Sequence, residues 1–240
     1  MDLVRVGKIG VGVKVPKVRL RTFGHQARRR KAGNKGNYII VTCKTDNVQF
    51  TINGIKRTYN VIPNKPTKIQ IDEKITSLEN FSFQQNRYSI TFLDISKLDV
   101  SSCYSFLRLT GWLDACTEIN AAFNLDVPSR DLRASFDSDA ALKNLNISTW
   151  NMAHSTGWVN YNTVFLRCTS LTNLKFGYNL NKTVDFKDCP LSHESALSVI
   201  NGLAPVNSTQ TITFSKATYN TLTNEEIALA TSKGWSVASS

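Results

Sequence analysis

Histidine, methionine and long apolar runs are scarce in this 240-residue chain, which carries three histidines and two methionines. His25, His154 and His193 stand far apart, and no Ser/His/Asp motif, nucleophile elbow, P-loop or H-E-x-x-H segment accompanies them. Gly7, Gly10 and Gly12 lack the spacing of a phosphate loop, and no helical pattern follows them. Asp94, Asp99, Asp114 and Asp126 are the carboxylates available for acid/base pairing; among strands and turns they are expected to be solvated or loop-capping. Cys43, Cys103, Cys116, Cys168 and Cys189 form no C-x-x-C pair and fit no zinc spacing, so they are expected to be reduced, half-buried thiols. The expectation is a chain that is not an enzyme and holds neither metal nor cofactor. No run of about 18 apolar residues is present, which excludes a helical membrane span. Nor does the N-terminus show an apolar h-region of about 7–15 residues, so the protein is expected to stay in the compartment where it is made.

Acidic residues are almost missing from one stretch. Residues 1–37 contain Arg5, Lys8, Lys14, Lys17, Arg19, Arg21, Arg28, Arg29, Arg30, Lys31 and Lys35 against the single acid Asp2. Nearly all of the formal net charge of +11 therefore sits there, and the rest of the chain is close to neutral. The sequence pI of about 9.5 describes neither part. Within this arm Val11, Val13 and Val15 alternate with Gly12 and Lys14, a strand pattern with one apolar and one glycine or cationic face. Such a strand has little core of its own and calls for another surface, in a partner or a second copy. Residues 23–37 are glycine-rich and polar around Arg28–Lys31, as in a loop.

Beyond the arm, residues 38–75 predict a small β module. Tyr38–Val41 is rich in strand formers, and Gln49–Tyr59 reads as strand, Asn53-Gly54 turn, strand, because a type I′ turn needs positive φ at both central residues. Pro63 and Pro66 end the hairpin, and Lys68–Asp72 gives another short strand.

Residues 76–240 carry an internal repeat. Ile90-x-x-Leu93-x-Ile95, Ile119-x-x-Ala122-x-Asn124, Leu142-x-x-Leu145-x-Ile147 and Leu171-x-x-Leu174-x-Phe176 align on their apolar positions. In this alignment the steps are 29, 23 and 29 residues, and Asn124 breaks the second apolar set. Leu113, Phe136 and Phe165 precede the last three anchors by six residues; Cys116, Asp139 and Cys168 precede them by three. A unit of this size supplies one short strand and one return segment and buries its apolar face only by stacking on its neighbours, which predicts a leucine-rich solenoid. Trp112, Trp150 and Trp158 are expected on the returns, closing the ends of the core. Ser192 and Gly202 bracket a helix as N-cap and C′, Thr211–Phe214 is a strand, Thr223–Glu226 is a capping box opening a second helix closed by Lys233-Gly234, and Trp235–Val237 is a last strand. The fold class expected is α+β: a basic extended arm over 1–37, a small β module over 38–75, and a short leucine-rich-repeat-like domain over 76–240 with a helical cap from about residue 191.

The segments FDSDAALKNLNISTWNMAH and FLRCTSLTNLKF resemble the BspA-like leucine-rich repeats, and residues 191–237 resemble a terminal unit found beside such repeats in virion proteins of phages infecting gut Bacteroidetes. Bacterial surface adhesins share these repeats; an adhesin has to be exported, and the absent h-region favours the virion branch. The resemblance implies a phage structural protein (decoration, head-fibre or tail component) made in the host cytoplasm. Charge and pattern then assign the arm, through Val11, Val13, Val15, Lys17, Arg19, Arg21 and Arg28, Arg29, Arg30, Lys31, to docking on an acidic capsid or tail surface. Ile90, Leu93, Ile95, Ile119, Leu142, Leu145, Ile147, Leu171, Leu174 and Phe176 form the repeat core. The outer repeat face is left for a host-surface glycan or protein, and homo-oligomerisation, if present, runs through residues 1–75. The alternatives are a nucleic-acid-binding arm, which could also touch packaged DNA, and a surface adhesin.

Overall fold

The computed structural model describes residues 36–79, 86–125, 131–153 and 163–240. The expected docking positions from Val11 to Lys31 lie outside the described residues, as do His25, His154, Asp126 and Trp158.

Four strands open the described chain: β1 (Tyr38–Cys43), β2 (Asn47–Ile52), β3 (Ile55–Asn60) and β4 (Thr67–Gln70). β2 and β3 form the expected hairpin, registered from Asn47↔Asn60 to Ile52↔Ile55. Asn53 and Gly54 take φ of 53° and 75°, the two positive angles of a type I′ turn. Val48, Phe50 and Ile52 alternate along β2 and are fully buried, so one face of the hairpin covers core. Asn53 also anchors the hairpin: its Nδ2 donates to the Lys74 carbonyl at 2.8 Å, and its Oδ1 accepts from the N–H groups of Thr76 at 2.7 Å and Ser77 at 3.1 Å.

A separate β module ending at residue 75 is expected, but the sheet continues across that boundary. β1 pairs antiparallel with β4 on one side and with β5 (Ile90–Lys97) on the other. β5 then pairs in parallel with β6 (Glu118–Asn120), β6 with β7 (Asn144–Asn146), and β7 with β8 (Asn173–Lys175). The result is one six-stranded sheet ordered β4-β1-β5-β6-β7-β8.

The register corrects the repeat alignment. Leu93, Ile119, Leu145 and Leu174 stand side by side, at steps of 26, 26 and 29 residues. Ile119 therefore occupies the second apolar position of its unit, and the second copy reads Cys116-x-x-Ile119-x-Ala121, all three buried. Ala122 and Asn124 are not core positions, and Leu113, not Cys116, aligns with Asp139 and Cys168. A second marker recurs at the same steps: Trp112, Ser138 and Arg167 have φ of 70°, 62° and 59°. Each of the three connections between β5 and β8 thus turns through a left-handed residue at one place, a regularity of backbone that the side chains do not advertise.

Ile90, Leu93, Ile95, Ile119, Leu142, Leu145, Ile147, Leu171, Leu174 and Phe176 are all buried, none more than 5% exposed. Each such side chain contributes roughly 1.5–3 kcal/mol by leaving water. Beside them a line of aromatic rings runs through the core. Phe106 stacks on Phe123 at 5.3 Å and Phe123 on Trp150 at 5.4 Å. Trp150 meets Phe136 at 5.8 Å, and the line continues through Phe165, Phe186 and Phe214. Trp150 is therefore in the middle of the core, where its indole N–H donates to the Ala121 carbonyl at 2.7 Å, and not at an end of it. Trp112 is only half-buried, with the Arg108 guanidinium over its ring.

The C-terminal part alternates strand and helix: β9 (Val184–Phe186), α1 (His193–Asn201), β10 (Gln210–Phe214), α2 (Lys216–Tyr219), α3 (Asn224–Ser232) and β11 (Trp235–Ser239). The three strands form a parallel sheet ordered β11-β10-β9. Ser192 caps α1, and Thr223 with Glu226 forms a complete capping box on α3. Gly202 differs from expectation. Its φ of −73° is open to any residue, so it is not a left-handed C′. A glycine is needed there for space: a Cβ on Gly202 would lie 2.3 Å from the Gly177 carbonyl oxygen, and one on Gly177 2.3 Å from that of Trp150.

α1 also closes the sheet. The N–H groups of Leu174 and Phe176 on the β8 side have no further strand to bind. They donate to the hydroxyls of Ser195 at 2.8 Å and Ser198 at 3.0 Å, and the Ser195 hydroxyl donates in turn to the Thr172 carbonyl. Two serines one helical turn apart thus stand in for a strand and blunt an edge that would otherwise recruit one.

Candidate functional site

Alternation along β6, β7 and β8 sends Ile119, Leu145 and Leu174 inward and their neighbours outward. Parallel register then gathers the outward residues into two rows across the sheet. One row is Phe92, Glu118, Asn144, Asn173; the other is Asp94, Asn120, Asn146, Lys175. Both rows floor a groove of about 750 Å³, walled at the β8 end by Ser192, Glu194, Ser195 and Ser198 of the α1 entrance. Glu194 and Ser198 also line an adjoining hollow of about 470 Å³ that reaches Tyr178.

The amides in these rows bind one another. Asn173 Nδ2 donates to Asn144 Oδ1 at 2.8 Å, and Asn146 Nδ2 to Asn120 Oδ1 at 3.1 Å. The second row also bonds its own backbone two residues on: Asp94 Oδ1 accepts from the Ser96 N–H at 2.8 Å within β5, and Asn146 Oδ1 at the end of β7 from the Ser148 N–H at 3.1 Å. These Asx turns explain an Asp or Asn in the second row on structural grounds alone. Asn144 and Asn173 in the first row serve no turn, so their chemistry is available to a ligand. Asp94, Glu118 and Glu194 outnumber the single cation Lys175 in the groove lining.

Of the carboxylates considered for acid/base work, Asp94 lies in the groove lining, whereas Asp99 and Asp114 are spent elsewhere. Asp99 Oδ1 accepts from the Ser101 N–H, and bonds to Ser101 hold its carboxyl below the usual range. Asp114 pairs with Arg87. His193 Nε2 lies 2.9 Å from Glu226 Oε1, tying the start of α1 to that of α3, and the Thr223 N–H holds the Glu226 carboxyl below its ordinary value with help from His193. The five cysteines are buried and form no disulfide with one another. Burial pushes the Cys43 thiol up to about 11, and that of Cys116 higher still. Bonding to Cys189 together with burial raises Cys168, whose thiol faces the Phe136 carbonyl at 3.0 Å. Raised thiols of this kind make poor nucleophiles, because the attacking form is the thiolate.

Among the described residues Asp139 is the one carboxyl the core encloses completely. It takes the place held by Leu113 and Cys168 in neighbouring units, accepting from the Leu113 N–H and the Thr110 hydroxyl, each at 2.8 Å. Desolvation raises its carboxyl well above the ordinary value. It has no route to solvent and serves the interior.

Among the described residues no group of three or more His, Cys, Asp or Glu side chains is placed to hold a metal ion, and no helix is long and apolar enough to cross a membrane. The expected partner-docking positions lie in the arm, outside the described residues, and the repeat-core positions lie under the groove. The rows on its floor were missed because polar residues between apolar anchors look like ordinary solvent-facing positions; only the corrected register brings them side by side. No family model, no curated protein and no solved structure matches this chain.

Proposed function

We propose that the chain is a structural protein of a bacteriophage particle, a decoration, head-fibre or tail component that docks through its cationic N-terminal segment and presents the groove-bearing sheet outward. In this reading the strands β5–β8 and their returns are turns of a short BspA-like leucine-rich-repeat solenoid, and the β9–β11 unit with its helices is the terminal cap such an open stack requires. The observation that carries the reading is the division of labour along the chain. Nearly all the net charge is in residues 1–37, while the described body spends Asp99, Asp114, Asp139, Glu226, its thiols and His193 on its own turns, pairs, caps and core. That pattern supports a non-catalytic binding module with a separate anchor. The anchor suits an acidic capsid or tail surface, with Val11, Val13 and Val15 adding to a partner's sheet edge and Arg28–Lys31 pairing with its acids.

A second reading, nucleic-acid binding, is favoured by the same eleven cations, which could neutralise several phosphates. It belongs to the arm alone, since the groove lining is net acidic. Peptide mapping of purified particles separates the two. Recovery of the chain at fixed stoichiometry, with the Arg28–Lys31 bonds protected from trypsin in intact particles, is the expected result. Absence from particles, together with DNA binding that falls steeply with salt and disappears when Arg28–Lys31 become serines, would replace the first reading by the second.

A further inference from the structure

We infer that the groove across β5–β8 is a binding site for an extended neutral oligosaccharide of the β-1,4-linked hexose type, about four units long; the inference rests on reading this face as the displayed surface. The geometry is periodic in the way such a ligand is periodic. Neighbouring strands stand about 4.8 Å apart, close to the advance per unit of a straight hexose chain, and the register sets one outward side chain per strand in each row. A sugar chain lying across the strands meets one outward side chain of each row per strand, and because successive β-1,4-linked units are turned over, alternate strands meet the same face of the chain.

The groups suit sugar hydroxyls, which both donate and accept. An amide also does both. The bond from Asn173 to Asn144 leaves the Asn144 NH2 and the Asn173 oxygen for a ligand, and positions them without entropy lost on binding. Phe92 at the β5 end of the groove and Tyr178, 42% exposed in the adjoining hollow, offer ring faces against which the C–H face of a sugar packs.

Charge and hydrophobicity narrow the class. Three carboxylates against one ammonium repel polyanions such as nucleic acid or uronic-acid chains. A protein partner would look for large apolar anchors, yet the exposed Ile55, Ile62, Tyr88 and Tyr104 all lie outside the groove lining.

The test titrates the full chain with β-1,4-linked oligomers of glucose, mannose and N-acetylglucosamine from two to six units, and with mannuronate oligomers, which differ from mannose in carrying a carboxylate. Binding of at least one neutral series is expected to strengthen tenfold or more from dimer to tetramer and then level off, with mannuronate at least tenfold weaker than mannose. Asn173→Trp fills the groove from an exposed position and is expected to abolish binding while leaving the melting temperature unchanged. Should that variant melt early, Tyr178→Ala gives the same readout, with a loss of several-fold for the longer oligomers. Three results would each overturn the inference: no binding of any neutral tetramer at millimolar concentration, mannuronate binding as tightly as mannose, or affinity indifferent to both substitutions. Incorporation into particles is measured separately, so failure to bind sugar and failure to be a virion protein are told apart.

Discussion

The β2–β3 hairpin and the β5–β8 ladder are both built of short strands, yet one is specified by its own residues and the other by residues a whole unit away. In the hairpin each partner lies within about a dozen positions, and the turn that joins them fixes the register through Asn53 and Gly54. In the ladder each pair of strands is registered over only three residues, and each finds its partner 26 or 29 positions along the chain. Three residues of pairing cannot hold a strand. What holds it is the return segment, with its recurring left-handed residue, its ring in the aromatic line and its close backbone contact with the next return. A fault in the hairpin should therefore stay local, whereas a fault in a return should spread along the stack.

Gly177→Ala tests this most severely. The added carbon would sit 2.3 Å from the Trp150 carbonyl oxygen and 3.0 Å from the Trp150 Cβ, inside the aromatic line. Backbone must move, and with it the bond from the Tyr178 N–H to that same carbonyl. A loss of at least about 3–4 kcal/mol is expected, read by chemical denaturation, with hydrogen exchange accelerated across β7, β8 and α1 together. If exchange rises only beside Gly177, the returns are not what couples the units.

The same comparison explains how much could be read in advance. The hairpin, the N-caps of α1 and α3 and the apolar positions of the third and fourth units are legible, because each signal is local or repeats a strong leucine pattern. The second unit was misplaced by three residues, since Cys116 and Ala121 stand where its neighbours have leucine, isoleucine or phenylalanine, and Asn124 then looked like a defect. Gly202 was assigned to a left-handed cap because helix ends commonly use glycine that way; its reason, contact with Gly177, needs the next return to be in place. The groove was illegible for the same cause. Asn144 and Asn173 are 29 residues apart, and nothing in either segment says that they touch.

Asp139 sharpens the comparison on the interior side of a return. Asp139→Ala leaves the Leu113 N–H buried without an acceptor and should cost about 1–3 kcal/mol. Asp139→Asn keeps that acceptor, and its NH2 can donate to the Thr110 hydroxyl, which has the Ser135 carbonyl 3.2 Å away to donate to. The pH dependence is the more telling readout. The folded carboxyl binds its proton more tightly than the unfolded one, so this group favours the fold at pH below the ordinary carboxylate range, and that advantage is lost as pH rises toward the raised folded value. Denaturation midpoints of the wild type should fall along this interval while those of Asp139→Asn stay flatter. Parallel curves for the two would mean that Asp139 is charged in the fold and held by its donors.

Gly54→Ala is the smallest change and the control on the hairpin side. Nothing lies within 4 Å of the position where its Cβ would stand, so the only penalty is the φ of 75°. About 1 kcal/mol is expected for forcing a side chain into the left-handed region. The loss should appear as faster hydrogen exchange confined to β2, β3 and the segment tied to Asn53, with β6–β8 unchanged. Because Gly177→Ala strains no dihedral and Gly54→Ala fills no occupied space, the pair isolates the two reasons a glycine is required. A spread of the Gly54→Ala effect into the ladder would show that the hairpin, lying over the core through Val48, Phe50 and Ile52, helps to set the register of the stack and is not merely attached to it.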